Sequence, residues 1–235
     1  MKKLFAVLSV LSATAFTSTT SAQAGGGGGM AGMNMEQTKA VQQVGPHPDG
    51  WLMRTDNPAD KPETANFVTM GPGMHVTSGP AAIYWNPTNT ASGAYTISVT
   101  LGVRSTPLHD AVGIIWGGSD LAGDKESYGY FIVYGDGGFT VKHRSGPSSA
   151  MGKNPDVHTV VAKGTNPAIK AAPADGGSAS NKLSVKVAAD SIRFLVNDVQ
   201  VAAVDAKNPM MPNAGIYGIR VNHNISVHIA GLAKQ

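Results

Sequence analysis

The sequence predicts an all-β protein, a two-sheet antiparallel jelly-roll sandwich, and three features carry that expectation. Residues 95–104 place Tyr95, Ile97, Val99, Leu101 and Val103 on one side and Thr96, Ser98, Thr100 and Arg104 on the other. That is the period of a strand with one wet face. Residues 111–144 hold three apolar segments separated by Gly/Asp turns, with bulky residues on both faces, as in strands buried on two sides. Elsewhere, about a dozen short strand patterns recur between turn residues with no convincing amphipathic helix, which is the signature of a sandwich or jelly roll.

The chain begins with an address rather than a fold. Lys2 and Lys3, the apolar run Leu4 to Ala15 and the ending Ala22-Gln23-Ala24 have the three parts of a secretory signal peptide over residues 1–24. The apolar run is too short to span a bilayer, so no transmembrane segment is expected in the mature chain. The expected location is the periplasm or the exterior. The chain has no cysteine, so no disulfide framework supports the fold and the core must hold it.

Residues 25–45 open with Gly25 to Gly29 and read as a flexible Gly/Met-rich linker, ending in a short helix from Glu36 to Gln43. Met30, Met33 and Met35 offer thioethers suited to Cu(I), although a mobile tether accounts for the same residues. The sandwich domain is expected over 46–235. The 42% hydrophobic content of the whole chain supports a sizeable core. Two of the chain's 18 Lys and Arg are Lys2 and Lys3, so the remainder nearly balance its 15 Asp and Glu. No basic surface for nucleic acid is indicated.

Within the domain, the proline-rich stretch 46–75 is expected to wrap irregularly and deliver Trp51 onto the sandwich, with short strands at Phe67–Met70 and Met74–Val76. Ala81 to Trp85 leads into a turn at Asn86-Pro87-Thr88-Asn89, because Asn-Pro favours turn initiation. Strands follow at Thr159–Ala162, then a loop at Pro167 to Ser180. Leu183–Val187, Ile192–Val196 and Val199–Val201 alternate again, and Asn197-Asp198 fits a two-residue hairpin turn. Gly215–Val221 and Ile225–Leu232 are expected to pair around Asn222-His223-Asn224.

Six segments in order carry a resemblance: Ala111 to Gly118, Tyr128-Gly129-Tyr130-Phe131, Gly135-Asp136-Gly137, Asn181 to Val185, Phe194 to Asp198, and Gly215 to Ile219. Over about residues 65–233 the chain resembles the concanavalin A-like lectin/glucanase superfamily, and within it the laminin-G-like and 3-keto-disaccharide hydrolase-like domains. The resemblance implies a jelly roll with sugar or protein ligands on the concave sheet or rim loops. The glucanase E-x-D-x-x-E strand is absent. Glu36, Glu63 and Glu126 are the only glutamates, and none lies in that pattern, whereas retaining hydrolysis needs paired carboxyls about 5 Å apart. The hydrolase-like domains carry a terminal Gln-His pair; here His223 stands without the Gln.

Candidate sites follow. Asp120, Asp124 and Glu126 are oxygen donors close enough in sequence for Ca²⁺, with Lys125 among them and a solvated turn as the alternative. Trp116, Tyr128, Tyr130 and Tyr134 are candidate stacking faces for a sugar, with Trp85 a further one at the rim, and Arg144 and Asn222 are candidate polar contacts. Alternation requires some of the aromatics to face the core instead. His223, His143 and Asp120 are the candidate acid–base groups should the chain be a hydrolase. No H-E-x-x-H, nucleophile elbow or P-loop occurs. The expected function is an exported, non-catalytic module that recognises a carbohydrate or an envelope protein. The alternatives are a 3-keto-disaccharide or glycoside hydrolase of the same fold, and a structural subunit of a membrane-associated complex. No cofactor is required, calcium apart.

Overall fold

The structure is a computed structural model that describes residues 45–104, 110–146, 158–175 and 177–235. The predicted signal peptide, Met30, Met33, Met35 and the Glu36–Gln43 helix lie outside the described residues. Two antiparallel sheets of seven strands stack face to face. The front sheet contains β1 (Leu52–Thr55), β4 (Ala82–Ala91), β6 (Ala111–Ser119), β7 (Ser127–Tyr134), β8 (Gly138–Ser145), β9 (His158–Thr165) and β13 (Gly215–Val221), in the order β1-β4-β13-β6-β7-β8-β9. The back sheet contains β2 (Ala65–Met70), β3 (Gly73–Ser78), β5 (Tyr95–Arg104), β10 (Ser178–Val187), β11 (Ser191–Val196), β12 (Val199–Asp205) and β14 (Ile225–Lys234), in the order β12-β11-β10-β5-β14-β3-β2. A single 3₁₀ turn, Pro62–Thr64, is the helical element among the described residues, and no helix there is long and apolar enough to cross a membrane.

Alternation builds the interior. Ile97, Val99 and Leu101 of β5 face inward with Leu183 and Val185 of β10, while Thr96, Ser98 and Thr100 keep contact with solvent. From the front sheet come Val112, Ile114 and Trp116 of β6, Phe131 and Val133 of β7, Val141 of β8 and Ile219 of β13. Each fully buried aliphatic or aromatic side chain contributes about 1.5–3 kcal/mol relative to exposure. Trp51 packs on this core, its ring 5.5 Å from Phe67, as the proline-rich wrap predicts.

Two expectations about connections change. Gly215–Val221 and Ile225–Lys234 are strands at nearly the predicted positions, but they do not pair with each other: β13 lies in the front sheet between β4 and β6, and β14 lies in the back sheet between β5 and β3. Asn222-His223-Asn224 carries the chain from one layer to the other. The Asn86-Pro87 turn is an excursion inside β4 rather than its end. Pairing with β13 lapses between Trp85↔Gly218 and Thr90↔Ile216, β1 extends only to Leu52↔Trp85, and so Pro87 deprives no neighbour of a hydrogen bond there. The Asn86 side-chain oxygen closes the excursion by accepting from Thr88 N at 3.0 Å and Thr88 Oγ1 at 2.7 Å. Asn197-Asp198 is the predicted two-residue hairpin, with φ of 50° and 67°.

Candidate functional site

Bulk on both faces of β6 and β7 has a specific cause. The inner face supplies the sandwich core, and the outer face of the front sheet carries a second apolar cluster of Ile83, Trp85, Ala111, Ile115, Leu121, Tyr128, Tyr130 and Ile132. Register places its members side by side. Tyr128, Tyr130 and Ile132 of β7 stand opposite Arg144, Lys142 and Thr140 of β8, and Tyr130 also stands opposite Ile115 of β6. Arg220 of β13 is aligned with Gly113, which is aligned with Ile132.

This outer face is crossed by the β6–β7 loop, which brings Leu121 into the cluster, and by the chain that follows β1, which brings Asp56. Where they meet is a buried ion network. Arg220 donates from Nη1 and Nη2 to the two carboxylate oxygens of Asp56, a bidentate pair. Arg144 donates from Nε and Nη2 to Glu126 Oε1, at 3.0 and 2.8 Å, and its Nη1 lies 3.3 Å from Asp56 Oδ1. Arg54 reaches Glu126 Oε2 at 3.7 Å and donates to the carbonyls of Leu121 and Gly123. Asp56, Glu126, Arg144 and Arg220 are all buried. Charges taken so far from water need such pairing, because an unpaired one would carry its full desolvation cost. The Arg220 guanidinium also sits 5.3 Å from the Tyr130 ring centre and donates to the Tyr128 hydroxyl at 3.4 Å. Burial pushes the Tyr128 and Tyr130 phenols well above their ordinary range, against the pull of Arg220.

Towards β9 the same face opens. Tyr134 is half-buried, its hydroxyl 3.2 Å from Thr140 Oγ1. Beside it lies a hollow of about 360 Å³ lined by Tyr134, Asp136, Thr140, Lys163 and Thr165 among others. Lys142, two residues along β8 from Thr140 and half-buried, has its pKa lowered by burial and by Arg220, with Asp56 opposing. A second hollow of about 420 Å³, between Gly93, Val187–Ala189 and Lys207, has no aromatic wall.

The predicted site residues distribute as follows. Tyr128, Tyr130, Trp85 and Arg144 come together on the outer face, where they form a sealed floor. Trp116 points the other way, into the core, with its ring 5.3 Å from Phe194 and its Nε1 donating to Pro212 O at 2.9 Å. Gly129 across the strand leaves room for that indole, since a Cβ there would lie 2.4 Å from the ring. Asn222 is half-buried at the β13–β14 crossover.

Two of the acid–base candidates, Asp120 and His223, are separated. Asp120 lies in the β6–β7 loop at the Ser119/Ser127 end of the front sheet, and His223 follows Val221 at the opposite end. His143 shares the inner-face parity of Val141 and bonds Ser127 Oγ through Nε2 at 3.1 Å. Burial lowers its pKa. The calcium candidates do not converge either. Asp120 turns back to accept from Lys125 N at 2.8 Å, Asp124 is exposed, and Glu126 is committed to Arg144 and Arg54. Among the described residues no group of three His, Asp or Glu side chains could hold a metal ion. Asp56, Arg220, Lys142, Thr140 and Lys163 were not singled out by sequence. Arg220 had one signal, a lone cation in the apolar strand Gly215–Val221, whereas Asp56 had none because its partner lies 164 positions away.

The fold these sheets define is the concanavalin A-like jelly roll, and solved structures of that fold superimpose over most of the chain. The carbohydrate-binding module CBM66 from Bacillus subtilis is 11% identical with a TM-score of 0.55, covering 83% of this chain and 99% of the module. A Bacillus subtilis protein of unknown function with a galectin-like fold is 11% identical with a TM-score of 0.53, covering 79% and 88%. A glycoside hydrolase family 16 endo-glucanase from Bacteroides ovatus is 9% identical with a TM-score of 0.51, covering 84% and 95%. No family model matches the chain, and no curated protein matches it.

Proposed function

We propose that this chain is an exported, non-catalytic carbohydrate-binding module, acting in the periplasm or outside the cell, whose ligand rests on the outer face of the front sheet beside β8 and β9. The observation that carries the reading is the hollow itself, which a half-buried tyrosine, Tyr134, lines together with the hydroxyl, carboxylate and ammonium residues Thr140, Asp136 and Lys163. A sugar presents an apolar C–H face ringed by hydroxyls, so it is matched by an aromatic wall with polar groups at its edge. The floor of Tyr130, Tyr128 and Trp85, with Arg144 and Arg220 locked beneath the crossing loops, gives that wall a rigid support.

Two further points support the reading. Proteins of known structure with this fold include a carbohydrate-binding module and an endo-glucanase. The buried carboxylates on this face, Asp56 and Glu126, are engaged by guanidinium groups, Asp120 and His223 lie at opposite ends of the front sheet, and His143 has the inner-face parity of Val141, which does not favour the paired acid and base that glycoside hydrolysis uses. The test is a screen of the full chain against an array of neutral and acidic glycans, repeated with Tyr134→Ala. Binding that falls at least about tenfold in the variant agrees with loss of a ring contact in the site. A full chain that binds no glycan, or a variant that binds as well as the parent, overturns the proposal.

A further inference from the structure

We infer that the ligand of this face is an acidic glycan, whose carboxylate or sulfate ester is received by Lys142 with Lys163 beside it. The inference rests on the carbohydrate reading above and names the class of sugar. Lys142 is the key group. It lies on the outer face of β8, opposite Tyr130 and between Thr140 and Arg144 in the run of outward residues. Asp56 is the carboxylate that acts on it, and Asp56 is already bonded through both oxygens to Arg220 and shared with Arg144. Glu126, the other buried carboxylate, is taken by Arg144 and Arg54.

On this stretch the four cations Lys142, Arg54, Arg144 and Arg220 stand against Asp56 and Glu126, with Asp60 close to Asp56. Burial and the neighbouring Arg220 both disfavour the Lys142 ammonium. An anion at its tip reverses both effects, supplying the opposite charge that burial demands and screening Arg220. Lys163 stands across from Thr140 on β9, exposed and on the wall of the hollow, so a cation borders that space, and Lys142 is the next outward residue of β8 after Thr140. Asp136, exposed at the far end of the hollow with Oδ1 accepting from Gly138 N at 2.9 Å, would repel an anion and so confines it to the lysine side.

The experiment is calorimetric titration of the full chain with galacturonate trisaccharide, with the same trisaccharide fully methyl-esterified, and with sulfated maltotriose. Variants are Lys142→Met, Lys142→Gln, Lys142→Arg and, on the back sheet, Lys186→Met. The expected result is acid bound at least about tenfold more tightly than ester, loss of that preference in the Met and Gln variants, retention in Arg, and no change in Lys186→Met. Binding of the sulfated sugar alone, with the same Lys142 dependence, also supports the inference and assigns the anion to a sulfate ester. Ester and acid bound equally, or Lys142 variants that keep the preference, would overturn the inference and leave the carbohydrate reading standing. Failure to bind any sugar, neutral or acidic, overturns both. The acid–ester comparison needs no variant, so it decides the matter even where a substitution fails to fold.

Discussion

Arg220 and Asp56, 164 positions apart, clasp each other through two guanidinium nitrogens and two carboxylate oxygens inside a face that excludes water. That clasp ties the chain leaving β1 across the front sheet, and with Arg144 and Glu126 it fixes the floor on which the candidate site rests.

Removing one partner of the clasp should be costly. Asp56→Asn leaves Arg220 and Arg144 short of an anion in a desolvated setting, and the expected loss is about 3–5 kcal/mol of unfolding free energy. The exposed pair Lys182–Asp198, 2.9 Å apart with side chains 47% and 74% exposed, provides the contrast. Lys182→Ala should cost less than about 1 kcal/mol. Urea denaturation of the two variants side by side checks both figures, and equal losses would show that the network carries no special weight.

Gly129 exists to admit the Trp116 indole. Gly129→Ala brings a methyl to 2.4 Å from the ring and must displace an indole whose nitrogen is bonded to Pro212 O at 2.9 Å. Overpacking of this kind costs about 1–3 kcal/mol. The expected outcome is a lower melting temperature together with an altered near-ultraviolet circular dichroism signal; an unchanged spectrum would place Trp116 elsewhere.

His143 links stability to pH. Burial depresses its folded-state pKa below the ordinary 6.5, so the unfolded chain takes up the proton first as pH falls. Stability is therefore complete above the ordinary value and is lost progressively as pH drops from there towards the folded-state value. Comparing urea midpoints at about pH 7.5 and about pH 5, the decline should be smaller in His143→Gln than in the parent. An equal decline in both chains would remove His143 from the account.

The Asn197-Asp198 hairpin offers a gain instead. Asn197 is occupied, accepting from Lys182 N at 3.0 Å and donating to Ala168 O at 2.8 Å and Asn181 Oδ1 at 2.9 Å. Asp198 holds a φ of 67° with only an exposed ion pair in return. Asp198→Gly should raise stability by up to about 1 kcal/mol by relieving that backbone strain. Thermal denaturation reads the sign directly.

Calcium should not stabilise the protein. With Asp120 bonded to Lys125 N, Glu126 bonded to Arg144, and the Leu121 and Gly123 carbonyls both accepting from Arg54, the carboxylates of the β6–β7 loop do not converge on a common point. Millimolar Ca²⁺ or chelator should leave the melting temperature unchanged, and a calcium-dependent rise would contradict this arrangement of the loop.

The sequence made the layers legible because period-two burial is a local property: Ile97, Val99 and Leu101 are in the core as their spacing requires. It could not separate Trp116 from Tyr128 and Tyr130, because β6 and β7 are apolar on both faces and alternation alone does not say which face meets the other sheet. That is decided by register, which aligns Gly129 with Trp116 and Tyr130 with Ile115. Nor could it foresee that β13 and β14 part to different sheets, since a short polar turn serves a hairpin or a crossover equally well. The ion network was hidden for a simpler reason. Asp56 and Arg220 are each unremarkable in sequence, and only folding makes them neighbours.

The most direct test of the account is a map of where a bound glycan touches the protein. Amide chemical shifts of the isotopically labelled full chain, recorded while a binding glycan is titrated in, should move in one patch on β7, β8 and β9 that includes Tyr134, Thr140, Lys142 and Lys163. Shifts confined to the back sheet, or to the hollow between Val187 and Lys207, would contradict it.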